Sequence, residues 1–332
     1  MIGFTGIGIS RACRIAMTAS VLIAGLEIAT AQPVELRMGV GPASEEQAWL
    51  MKARPDLTPN QGKAYTYTMS MFRSGGDRMT AFQAGQLDAL TASTTGVLFA
   101  ASKGVALMVP VSMARESTKT FSTSYLALAD SDVSLTNLKG KTIGINGYRA
   151  SIELYARIAV AKAGLDPDRD VKWLIVPLPQ MLEALRQKKI DIGAFPSTFA
   201  FMAMKDGGVR KIFDCAGISG IEEEFDVAFN PDFVHKNPAA VRAWIADFIS
   251  VTKYLEEHPR EARRSLLDAK IVQVDPNIYE AMTAKDDLLR TVAATTPNIE
   301  MFRQLQDELL KAKFQDTSVD LSKLVNTSYL SN

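Results

Sequence analysis

The residues of this chain best suited to chemistry are hydroxyls at four turns, together with one arginine. The turns fall at 41–44, 93–96, 147–151 and 195–198, each between an extended apolar run and a helix-forming run. Ser44, Ser93, Thr94, Thr95, Ser151 and Ser197 can bond a small polar molecule there, where free helix N–H groups point outward. Each hydroxyl can equally cap its own helix. Arg149 adds a full charge at a helix start, and its planar fork suits a carboxylate or sulfonate. Its alternative is a surface ion pair with Glu153, four residues on. Tyr148 and Phe195 offer flat apolar walls, although Phe195 fits a core equally well. Trp49, Tyr65 and Tyr67 reach the same region only if the strand register puts them there. Glu45 and Glu46 would favour a cation if they faced the ligand, but as first-turn acids they simply counter the helix dipole. The set reads as recognition of a small molecule, with an anion favoured.

Other chemistries fail on their own motifs. Gly140-Lys141-Thr142 resembles the end of a phosphate-binding loop, but the required upstream glycine is Leu135 and a strand follows instead of a helix. Gly39-Val40-Gly41-Pro42 mimics a dinucleotide fingerprint, yet the third glycine is missing and the proline stiffens the turn. There are two histidines, His235 and His258, and neither has a nucleophile or carboxylate partner at a recognisable spacing. No metal site, no cofactor and no catalytic residue are expected.

The elements that must position these turns alternate in type. Strands are predicted at 34–40, 64–72, 87–91 and 105–113, with helices between them, the pattern of a mainly parallel sheet flanked by helices. A strand at 121–129 leaves this unit. The alternation then restarts with strands at 141–146, 171–176, 190–195 and 209–213. Beyond Gly217 the chain reads as helical. Asn237 and Pro238 open a helix whose Val241, Trp244, Ile245, Phe248, Val251 and Leu255 form one apolar stripe. Helices packed back on the first unit would make it discontinuous. The expected lobes are 32–125 plus 218–332, and 126–217, joined by two crossings that act as a hinge beside a cleft.

Composition narrows the class further. The 332 residues carry 37 Lys and Arg against 37 Asp and Glu, which argues against a nucleic-acid or membrane-surface partner. Residues 1–31 read as a signal peptide: Arg11 and Arg14, then an apolar run too short to span a membrane, then Ala29-Thr30-Ala31. Cleavage after Ala31 would leave 35 basic and 36 acidic residues and one cysteine, Cys215. No intramolecular disulfide could then form, so stability must come from packing.

One stretch carries a family likeness. Leu138-Lys139-Gly140-Lys141-Thr142-Ile143-Gly144-Ile145 resembles the opening of the second lobe in periplasmic solute-binding proteins. Ala163-Gly164-Leu165-Asp166, the run from Leu185 to Ala194, Asn237-Pro238, and Phe82-Gln83-Ala84-Gly85-Gln86-Leu87-Asp88-Ala89 are similar to its other stations. The subgroup resembled serves ABC transporters for nitrate, alkanesulfonate, taurine and thiamine precursors (NMT1/THI5-like). The resemblance implies an α/β, two-lobed periplasmic-binding-protein fold of type II with its ligand cleft at the hinge. It also implies a periplasmic or secreted monomer that delivers a small molecule to an ABC-type permease. An enzyme of thiamine-precursor metabolism on the same fold, or a soluble ligand sensor for a membrane receptor, are the alternatives. The cysteine-rich motif of that enzyme has no counterpart here.

Overall fold

The computed structural model describes residues 32–283 and 288–330. The predicted signal peptide and its cleavage site lie outside the described residues. Among the described residues, ten strands form two five-stranded sheets. The first sheet contains β1 (Val34–Val40), β2 (Tyr65–Met71), β3 (Ala89–Ser93) and β4 (Met108–Glu116). The second contains β5 (Ser124–Leu128), β6 (Thr142–Ile145), β7 (Lys172–Ile175), β8 (Ile192–Phe195) and β9 (Val209–Asp214). The last strand, β10 (Glu223–Phe229), returns to the first sheet. The orders are β2-β1-β3-β10-β4 and β7-β6-β8-β5-β9. Within each sheet one strand, β10 or β5, runs antiparallel to its neighbours and the other pairings are parallel.

Helices follow the strands as parallel sheets require. They are α1 (Glu46–Ala53), α2 (Gly75–Gln83), α3 (Thr94–Ser102), α4 (Ser151–Lys162), α5 (Met181–Arg186), α6 (Ser197–Asp206) and α7 (Cys215–Ser219). Six more close the chain: α8 (Pro231–Lys236), α9 (Pro238–Glu257), α10 (Pro259–Asp268), α11 (Pro276–Thr283), α12 (Ile299–Lys311) and α13 (Leu321–Leu324). The α9 stripe packs as expected, with Val241, Trp244, Phe248 and Val251 all fully buried beneath the first sheet's Tyr67 and Phe229.

Strand β10 corrects the expectation that the chain past Gly217 is helical. Its run Glu223-Glu224-Phe225-Asp226 is too acidic to read as a buried strand, yet Glu223, Glu224 and Asp226 are all nearly fully buried. Each carboxylate has local donors. Glu224 takes Arg115 Nη2 and Asp226 takes the Thr94 hydroxyl at 2.8 Å, while the Ser112 hydroxyl lies between the two carboxyls at 2.8 and 2.7 Å and shares its one proton with them. Those donors come from β4 and α3, far away in sequence, so the strand is legible only once the sheet is assembled.

Candidate functional site

A cavity of about 270 Å³ lies between the sheets, at the carboxyl ends of their parallel strands. From the first sheet it is lined by the β1–α1 turn, the β2–α2 turn and the start of α3. From the second it is lined by the β6–α4 turn, with Leu178 and Pro196. The two sides touch at the rim, where a Cβ built on Gly147 would meet Ser74 Cβ at 3.7 Å.

Five predicted residues line this cavity: Ser44, Ser93, Tyr148, Arg149 and Ser151. Ser93 also caps α3, its oxygen accepting from Gly96 N at 3.2 Å. Ser44 is not the N-cap of α1, which begins at Glu46. Ser44 instead holds a left-handed backbone, φ 65°, and Arg149 does the same at φ 62°. The other non-glycine residues with positive φ, Lys188, Lys270 and Lys313, follow helix ends, where that conformation is ordinary. The two strained turns are those at the cavity, a common place for strain to be kept.

Arg149 does not form the surface pair with Glu153 that its spacing allowed. The Glu153 carboxylate takes the Arg149 backbone N–H at 2.6 Å and the Arg157 guanidinium at 2.7 Å. The Arg149 side chain reaches across the cleft to an edge-to-face pair of rings, lying 5.2 Å from Phe99 on α3 and 5.1 Å from Phe314, whose centroids are 5.7 Å apart. Its Nη1 donates to the Phe314 carbonyl at 3.4 Å. Residue 149 stays exposed and lines the cavity, so these contacts form a latch between its two walls.

Other predicted residues are not brought to the cavity. Trp49 is 4% exposed in the core under the first sheet, because residues 46–51 of α1 are all buried and that turn has no cleft face. Phe195 is 1% exposed: its ring packs over Gly193 in the second core, and Pro196 takes the place at the cavity wall. Tyr65 and Tyr67 also lie in the first core. Thr94 and Thr95 turn toward the hinge, where Thr94 bonds Asp226 and the Thr95 N–H meets Glu223 Oε1 at 2.9 Å. The Ser197 side chain lies outside the described side chains.

Sequence reading left out the β2–α2 turn and the end of α3. Arg73, Arg78 and Lys103 line the cavity from there. The signal was present: Ser74-Gly75-Gly76 is a fifth strand-to-helix turn, flanked by Arg73 and Arg78. Lys103 pairs with Asp316 at 2.7 Å and holds that carboxyl below its ordinary range, with Arg149 adding to the effect. Glu45 also lines the cavity, but its charge is spent on Arg78 Nη1 at 2.9 Å. Glu46 pairs away from it, with Arg290 at 2.9 Å. Among the charged lining residues, four are basic and one acidic.

The two crossings expected to act as a hinge lie beside the cavity. Segment 117–123 and helix α7 with residues 220–222 connect the sheets, and they hold each other: Cys215 N donates to Thr123 O at 3.0 Å and Ala216 N to Ser122 Oγ at 2.9 Å. Glu116 closes this joint, taking Thr123 N at 2.7 Å and the Thr123 hydroxyl at 2.6 Å. Burial raises the Glu116 carboxyl, against these bonds. Glu223, fully enclosed nearby, is pushed up to about 7 by burial, with the Thr95 bonds opposing and Glu116 adding to the rise.

A family model, that of the NMT1-like family, matches residues 29–272. The chain belongs to the NMT1-like family. Solved structures similar to this NMT1-like protein include the alkanesulfonate-binding protein SsuA of Xanthomonas axonopodis pv. citri bound to MOPS. That protein is 18% identical with a TM-score of 0.72, over 89% of this chain and 99% of the other. The periplasmic nitrate-binding protein NrtA of Synechocystis PCC 6803 is 11% identical with a TM-score of 0.70, over 90% of this chain and 87% of the other. A Candida albicans gene product described as having the generic periplasmic binding protein fold is 14% identical with a TM-score of 0.67, over 89% of this chain and 96% of the other. No curated protein matches the NMT1-like chain by sequence. At these identities the likeness is one of fold, and the fold is the two-lobed periplasmic-binding-protein type that the sequence predicted.

Proposed function

We propose that this NMT1-like protein is an extracytoplasmic solute-binding protein that captures a small organic anion and delivers it to an ABC-type permease. The observation that carries the reading is the cavity itself: strand-to-helix turns from both sheets wall it, and its charged lining is four basic residues to one acidic. Arg78 and Glu45 neutralise each other and Lys103 pairs with Asp316, so the surplus positive field comes from Arg73 and Arg149. The named functions of SsuA and NrtA, sulfonate and nitrate binding, agree with an anion. The apolar wall of Met79, Phe99, Tyr148, Leu178 and Pro196 favours an organic body over a bare inorganic ion. Ligand touching both walls would stabilise the closed form over the open one, and the permease would read the closed form. Neither histidine lines the cavity, nor does Cys215, which is buried at the hinge with its thiol raised well above its ordinary range by burial. The binding-protein names of the similar structures support a reading of binding without turnover. Residues 1–31 would direct export and be removed after Ala31.

A thermal-shift screen of small carboxylates, sulfonates, nitrate, pyrimidines and cationic amines tests the reading. Anions should raise the melting temperature and amines should not; a response confined to cations or neutral solutes would sink it. In the same assay Arg149→Ala should weaken the best anion roughly tenfold, because two exposed cation–π contacts and a cavity charge together amount to about 1–2 kcal/mol. Arg149→Lys, which keeps the charge and loses the flat stacking, should fall between. Unchanged affinity in Arg149→Ala would remove the latch from the mechanism.

A further inference from the structure

Arg78 is held as a ligand anchor would be. Its side chain is 8% exposed, on α2, and it lines the cavity. Nη1 is committed, donating to Glu45 Oε1 at 2.9 Å and to the Thr91 hydroxyl at 2.7 Å. Glu45 is fixed in turn, taking Gly41 N at 2.8 Å and the Thr91 hydroxyl at 2.6 Å through Oε2. The opposite edge of the guanidinium is unused. Nε is buried without a hydrogen-bond partner, and both of the side chain's bonds are made by Nη1. A buried donor left unsatisfied is costly, and it is rare in native proteins unless something else occupies it.

The chain makes room for this arrangement. A Cβ on Gly39 would come within 3.0 Å of Arg78 Cγ, and one on Gly41 would come within 2.6 Å of Glu45 Oε1 and 3.0 Å of Arg78 Nη1. The Gly39-Val40-Gly41 pattern, which only mimics a dinucleotide fingerprint, thus clears the space in which Arg78 and Glu45 meet. Glu45 and Thr91 fix the plane of the fork, and an Arg edge presents two parallel N–H groups that match two coplanar oxygens.

Resting on the anion reading above, we propose that the Nε–Nη2 edge of Arg78 is the headgroup site and takes two oxygens of an organic oxyanion. Carboxylate, sulfonate and phosphonate share this geometry. The rest of the ligand lies against Met79 and Phe99, toward the latch at Arg149. Glu45 and Thr91 are positioning residues: they act through Arg78 and need not touch the ligand.

Calorimetric titration of a butyl-to-octyl series of carboxylates, sulfonates and phosphonates, each beside its uncharged amide, separates the possibilities. Wild-type protein is expected to bind at least one oxyanion and to ignore its amide, and the preferred headgroup identifies the class. Arg78→Lys keeps a cation beside Glu45 but loses the two-pronged edge, so it should weaken that oxyanion at least tenfold. The double variant Glu45→Gln, Arg78→Gln leaves no unpaired buried charge and should lose the oxyanion as well, which gives a second reading if the lysine disturbs folding. Oxyanion affinity that survives in either folded variant overturns the Arg78 site and leaves the anion reading standing. Wild-type protein that binds none of the series, or binds amides equally, overturns both.

Discussion

Glu223→Gln should make the protein more stable at pH 8 and leave it nearly unchanged at pH 5. The wild-type carboxyl sits at about 7 in the fold, against an ordinary value near 4.5. Between those values the native state binds more protons than the unfolded chain, so stability falls as pH rises through that window. Above pH 7 the full penalty applies, about 3 kcal/mol for a shift of this size. Glutamine can keep the bond from Thr95 N and has no charge to desolvate. Glu116, Glu224 and Asp226 are raised in the same direction by burial, so the wild-type slope is steeper than one group gives. Thermal melts of both proteins from pH 5 to pH 8 measure this. Parallel curves over the whole range would mean that Glu223 titrates normally and carries no such cost.

Asp247→Ala should destabilise the protein by about 2–4 kcal/mol, a fall in melting temperature of roughly 5 °C or more. Asp247 is 1% exposed on α9 and takes three bonds: Tyr65 Oη at 2.7 Å, Asn60 Nδ2 at 2.8 Å and Asn60 N at 3.2 Å. These tie α9 to the start of β2 and to the loop before it. Alanine leaves a buried phenol and a buried amide without acceptors, which costs more than the bonds contribute in net terms. Asp247→Asn, which still offers one acceptor oxygen, should lose about half as much. Denaturant melts of the three proteins decide it, and an alanine variant within 0.5 kcal/mol of wild type would refute the pinning role.

How far each residue could be read depends on the range of the force that places it. The α9 helix was legible because an apolar stripe at helical spacing needs no partner to be recognised, and Asn237-Pro238 marks its start locally. Most strands were also legible, from short apolar runs between turn residues. Strand β10 was not: carboxylates in a strand are tolerable only beside Ser112, Thr94 and Arg115, and those neighbours arrive through the sheet. The same division runs through the candidate site. Ser93 and Ser151 could be placed because a turn at a strand's carboxyl end faces the cleft by the logic of the fold. Thr94 and Thr95, one and two residues further, point elsewhere because a helix rotates each successive side chain by about 100°. Arg73 and Arg78 flank a turn of the same kind.

By itself the sequence determined an α/β alternation, its restart at Leu138, the family likeness, and a nearly balanced charge that confines any attraction for an anion to a few local residues. Periodicity, turn chemistry and composition are properties of neighbours along the chain, so they survive without a fold. Tertiary structure alone decided which charges are spent and which remain. Glu45 is cancelled by an arginine 33 residues away, and Arg149 reaches two aromatic rings instead of the glutamate beside it. Arg78 keeps one edge of its fork unpaired. Pairing is fixed by distance in space and by burial, and a linear sequence records neither.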